Sequence, residues 1–77
     1  MPEASNQRPT ARSVLGQTVR HLRERAGWSL RDLAQKTQYN HTYLGRVERG
    51  EQLPSDALAR CLDQTFDTGG TLLGLLE

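Results

Sequence analysis

The chain has a single cysteine, Cys61, so no disulfide can form within it. It also lacks any run of about 20 apolar residues, which excludes a membrane-spanning helix. Its first ten residues, MPEASNQRPT, carry no apolar stretch of the kind a secretory leader needs. The compartment expected from these absences is a reducing cytoplasm. No strand-like alternation, internal repeat or glycine-rich loop after a strand is present, which removes the usual nucleotide-binding signatures. The two histidines, His21 and His41, stand far apart with no cysteine or carboxylate at metal-ligand spacing. No catalytic, cofactor or metal constellation is therefore expected, and an enzyme is not. Cys61 falls on the inner or boundary side of a predicted helix, where a free thiol behaves as a small hydrophobe.

What is present is a small chain with an uneven charge distribution. Seventy-seven residues make one domain with a modest core. The formal net charge is only +1. Residues 8–49, however, hold nine bases and three acids, a net of +6, whereas residues 51–77 hold one base and five acids, a net of −4. A basic segment of this kind suits a polyanion, and the acidic remainder should face away from it.

The apolar periodicity predicts an all-α, compact five-helix domain over residues 13–77 behind a disordered tail at residues 1–12. In that tail Arg8 and Arg12 can act as a basic arm, although plain solvated charges are the simpler reading. A first helix over about 14–26 carries Leu15, Val19, Leu22 and Ala26 on one face. Ser13 or Thr10 caps it and Gly27 ends it. A second helix begins at Ser29, which forms a capping box with Asp32 and leads Leu30, Leu33, Ala34 and Thr37 inward. A third, over about 41–49, is capped by Asn40, stopped by Gly50, and turns Leu44 and Val47 inward. A fourth runs over about 56–65 with Leu58, Leu62 and Phe66 inward. TLLGLLE forms a short fifth helix after Thr68-Gly69-Gly70.

The second and third of these helices are short and tightly joined, so they cross steeply and leave the third with one polar face. That is helix-turn-helix geometry, in which the second helix of the pair can enter the major groove of DNA. In a helix starting near Asn40, the side chains of His41 and Thr42 lie in the first turn, and Gly45 and Arg46 lie one turn on. Arg46 can make a two-point contact with guanine, Thr42 can meet a thymine methyl or a phosphate, and His41 can donate to a base or phosphate. Gly45 is expected to let the backbone approach closely. Tyr43 and Arg49 suit phosphates, which position a domain without reading sequence. Trp28 is expected to pack in the core.

The run LRERAGWSLRDLAQKTQYNHTYLGRVERGEQLPS resembles the helix-turn-helix of the Cro/C1-type repressors, the XRE family. The segment YLGRVERG followed by LPS is the specific part, and the resemblance spans about residues 14–66. The ending DTGGTLLGLLE also resembles the close of such domains in actinobacterial regulators, where a larger sensing region commonly follows. The resemblance implies a compact repressor-like fold and double-stranded DNA as partner. It places Asn40, His41, Thr42 and Arg46 at the groove. Two positions depart from the family pattern. Leu30 stands where many relatives carry a phosphate-clamping Gln, leaving that grip to Ser29 or Arg31. Gln38 stands where a turn Gly is usual, at about 1 kcal/mol for a left-handed non-glycine. The resemblance also pairs the acid at Glu48 with an arginine on the first helix, here Arg23, predicting an ion pair.

Leu72, Leu73, Leu75 and Leu76 are too many leucines for one face of so short a helix. Some should cover the core. The rest form a candidate surface for a homodimer, a further C-terminal domain or a protein partner. The function expected is sequence-specific DNA binding by a transcriptional regulator, a repressor by resemblance. The alternative is a protein-interaction module or antitoxin that uses the leucine-rich C-terminal helix.

Overall fold

The computed structural model describes residues 10–76. Five helices follow in order: α1 (Ala11–Arg25), α2 (Leu30–Thr37), α3 (His41–Glu48), α4 (Asp56–Phe66) and α5 (Thr71–Leu75). There is no strand among the described residues.

The first four helices start where the sequence offers a side-chain hydrogen-bond acceptor. Thr10 caps α1, its side chain accepting from the Ser13 N–H, while Ser13 returns an acceptor to the Thr10 N–H. The helix thus begins at Ala11 and not near residue 14. Arg12 is consequently an exposed helical residue instead of part of a tail, and the Arg8 arm lies outside the described residues. Ser29 and Asp32 form the expected capping box on α2, and Ser55 caps α4. Asn40 caps α3 by accepting from the Thr42 N–H at 2.7 Å.

The stops are equally local. After α1, Gly27 takes φ 77°. The Gly27 N–H donates to the Glu24 carbonyl and the Trp28 N–H to that of Arg23, the paired bonds of a Schellman motif. Gly50, at φ 75°, closes α3 in the same way, with Gly50 and Glu51 N–H groups on the Val47 and Arg46 carbonyls. Between α2 and α3 the turn residue Gln38 is left-handed at φ 64°.

The core draws on every helix, and Ala59 of α4 is buried with it. Leu15 and Val19, Leu33, Leu44 and Val47, Leu58 and Leu62, and Leu72 are all buried. Leu22, Trp28, Leu30, Ala34, Tyr39, Tyr43, Phe66, Leu75 and Leu76 pack around them. Trp28 stacks on Phe66 with ring centroids 5.5 Å apart, which closes the seam between the α1–α2 loop and α4. Ala26, expected on the inner face of the first helix, is instead exposed at its C-cap. α1 packs on α3, α4 and α5, and α2 packs on α3 and α4. This holds the α2–α3 pair on a platform made by the other helices.

α1 and α3 approach closely at Gly16. A Cβ on Gly16 would lie 2.3 Å from the Val47 carbonyl oxygen and 2.7 Å from that of Glu48. Only a residue without a side chain lets the two backbones touch there.

Candidate nucleic-acid interface

α3 sorts its residues by side. Leu44, Gly45, Val47 and Glu48 are buried, whereas Thr42 and Arg46, one turn apart, are exposed along with the flanking Asn40 and Arg49. His41 and Tyr43 are half-buried. The acid of α3 has been removed from its outer face. Glu48 turns inward and meets Arg23 of α1 at two points, Nε to Oε2 at 2.7 Å and Nη2 to Oε1 at 2.9 Å. Arg23 Nη1 also donates to the Trp28 carbonyl at 2.9 Å. With its side chain only 6% exposed, the Glu48 carboxylate shows almost nothing to a ligand on the outer face. The Glu48 hydrogen bonds raise the affinity of the Arg23 guanidinium for its proton. The structure thus brings together the two residues that the family resemblance paired.

The remaining site residues fall into three groups. Arg31 and Arg46 are exposed and form no ion pair among the described residues. Ser29 and Asn40 are exposed, but their side-chain oxygens already accept from the N–H groups of Asp32 and Thr42. The amide NH2 of Asn40 keeps its donors for a ligand, whereas the Ser29 N–H and hydroxyl are both turned to the Asp32 carboxylate. The same Ser29 backbone and hydroxyl hydrogen bonds hold the Asp32 carboxyl below its usual value.

Tyr43 and Arg49 are occupied within the fold. The Tyr43 hydroxyl accepts from the Ser55 N–H at 3.1 Å, bracing the α3–α4 loop. Arg49 Nε donates to Glu51 Oε2 at 2.8 Å. Glu51 was not among the residues the sequence singled out.

Two expected roles change. Gly45 is buried, not open to an approaching ligand: a Cβ there would meet Arg49 Nη1 at 3.1 Å and Leu30 Cδ2 at 3.3 Å. Its missing side chain makes room for α2 and for Arg49. Leu72, grouped with the possible partner surface, is fully buried in the core. Leu73, Leu75 and Leu76 are half-buried.

Leu72 is placed by an acid that sequence reasoning missed. The Asp63 side chain on α4 accepts from the Leu72 N–H at 2.8 Å, from the Leu73 N–H at 2.9 Å, and from the Thr68 hydroxyl. It supplies the N-terminal acceptor that Gly70 cannot give α5. The available signal was its position, four residues after the buried Ala59 and three before Phe66 on the inner side of α4.

Among the described residues, no three His, Cys, Asp or Glu side chains are placed to hold a metal ion. No helix there is long and apolar enough to cross a membrane. A family model described as a helix-turn-helix domain matches residues 14–76, covering all five helices but for the first turn of α1. No curated protein and no solved structure matches the chain.

Proposed function

The chain belongs to the helix-turn-helix domain family, which implies DNA as its partner, and from that premise we propose that it is a sequence-specific transcriptional regulator, a repressor acting by occupying an operator. The observation that carries this reading is the inward turn of Glu48 onto Arg23. It leaves Thr42 and Arg46 on an outer face of α3 without a carboxylate of that helix beside them. Arg46 is assigned to a base edge, where its planar fork matches guanine O6 and N7. Thr42 and His41 are assigned to neighbouring bases or phosphates, and the Asn40 amide to the same edge. Arg31 and Ser29, at the start of α2, are assigned to backbone phosphates, taking the place of the clamp that Leu30 cannot make. Tyr43 and Arg49 contribute only through whatever their internal hydrogen bonds leave available.

Two copies would read the two halves of a palindrome, with recognition helices about 34–36 Å apart. Half-buried Leu73, with the parts of Leu75 and Leu76 that their packing on the core leaves exposed, is the surface assigned to that second copy. Selection from a random duplex library, with affinity for the winner measured at two salt concentrations, tests the proposal. The expected result is an enriched palindrome, bound with a log–log salt slope of about −0.9 per phosphate contacted and weakened in Arg46→Ala. No enrichment and no salt-dependent binding would overturn it.

A further inference from the structure

The exit of α3 holds a second ion pair, and it sits beside the outer face of that helix instead of inside the fold. The Schellman turn at Gly50 fixes it. The Glu51 N–H donates to the Arg46 carbonyl at 2.9 Å, which brings the Glu51 side chain back alongside Arg49. The carboxylate then takes Arg49 Nε at 2.8 Å and Nη2 at 3.4 Å. Arg49 is not a freely swinging side chain. Its guanidinium lies close over Gly45, beside Leu30 of α2, along the seam between the two helices of the motif. Both partners are more than half exposed, at 57% and 54%, so a polyanion arriving at this seam meets them directly. The Arg49 hydrogen bond, with the Arg49 and Arg46 charges adding to it, holds the Glu51 carboxyl below its ordinary value. The acid is therefore ionised at neutral pH.

We infer that Glu51 sets the affinity of the interface: its carboxylate occupies the Arg49 guanidinium in place of a DNA phosphate. The inference rests on the reading of α3 as the DNA-contacting helix. Arg49 lies at the seam a phosphate would approach, yet it arrives already neutralised, so it displaces no counterion from the duplex while Glu51 holds it. Removing the acid frees one positioned cation. Because a phosphate contact carries no base information, the gain is the same on every sequence.

The test compares the native chain with Glu51→Gln, Arg49→Gln and the double variant. Each is titrated with a mixed-sequence duplex and with the selected duplex between about 50 and 200 mM salt. Glu51→Gln is expected to bind both duplexes about two- to five-fold tighter, the range of an exposed ion pair. Its salt slope should steepen by about 0.9, one phosphate. In the Arg49→Gln background the same change should have no effect. Native-like binding and slope in Glu51→Gln would overturn the inference. So would a gain that persists without Arg49, which would make Glu51 a through-space charge only. If the native chain binds neither duplex, the DNA-binding reading itself falls, an outcome distinct from both. Thermal unfolding of each variant checks that the fold is retained, as an exposed pair allows.

Discussion

Arg23 and Glu48 face each other across the α1–α3 contact as a two-point fork, and the third nitrogen of Arg23 holds the Trp28 carbonyl. One side chain therefore ties together α1, α3 and the α1–α2 loop. Removing one member leaves the other as a nearly buried, uncompensated charge. Arg23→Ala or Glu48→Gln is expected to cost about 3–5 kcal/mol, a fall in Tm of tens of degrees on the scale of about 4–8 °C per kcal/mol. The double variant Arg23→Met, Glu48→Leu should lie well above either single change, because no orphan charge remains. Urea unfolding followed by circular dichroism measures both. Single variants as stable as the native chain would show the pair to be energetically idle.

Gly16 predicts a different failure. Its added Cβ would meet carbonyl oxygens of α3, which are rigid backbone and cannot rotate away as a side-chain tip can. Gly16→Ala raises helix propensity by about 1 kcal/mol, yet the α1–α3 separation must grow to admit the methyl. The net expectation is destabilisation toward the upper end of the roughly 1–3 kcal/mol of an overpacked site. Gly74, with nothing within 4 Å of its Cβ position, is the internal control. Gly74→Ala should be neutral or slightly stabilising in the same thermal melt.

Asp63 gives the fold an acid-sensitive joint. Burial pushes its pKa up, but hydrogen bonds from Thr68, Leu73 and Leu72 outweigh burial and hold it below the ordinary carboxylate value. The unfolded chain therefore binds this proton more readily than the folded one. The stability Asp63 contributes is complete above the unfolded value of about 3.9 and is lost as pH falls through the lower folded value. Asp63→Asn should lose about 1.5–3 kcal/mol at neutral pH and flatten the acid limb of a stability–pH curve. It should also loosen α5 first, seen as faster exchange of the Leu72 and Leu73 amides. An unchanged acid limb would place the pH dependence on Asp32 and Glu51, whose carboxyls are also held low.

The sequence makes the helices legible wherever start, stop and periodicity act within one turn: Ser29 with Asp32, Gly27, Gly50, Leu15 with Val19, Leu58 with Leu62. The start of α1 is harder, because Ala11 and Arg12 turn no apolar side inward and a Ser occupies the third helical position where Glu or Gln usually completes a capping box. Arg23 and Glu48 come from the family resemblance and not from spacing, since 25 residues separate them. What stays hidden depends on a partner element. Whether Gly45 faces a ligand or Leu30, which leucine of TLLGLLE enters the core, and what Asp63 holds are each decided by packing between helices. The occupation of Arg49 by Glu51 needs the path of the chain through Gly50, which composition alone does not specify.

The turn between α2 and α3 is one place where local chemistry and fold disagree. Gln38 sits at φ 64°, ψ 23°, with its N–H on the Ala34 carbonyl at 2.8 Å. Its exposed side chain makes only a long bond, 3.4 Å, to the Gln35 carbonyl. A left-handed L-residue is strained by roughly 1–2 kcal/mol, and glycine is not. Glycine is also more disordered in the unfolded chain, which offsets part of the gain. Gln38→Gly is therefore expected to stabilise the domain by about 0.5–1 kcal/mol, raising Tm by roughly 2–8 °C. Gln38→Val, β-branched and ill-suited to positive φ, should lower it. If the turn only links α2 to α3, DNA affinity per folded molecule should stay unchanged in Gln38→Gly. A loss of affinity despite a higher Tm would show that strain at Gln38 helps to set the angle at which α3 is presented.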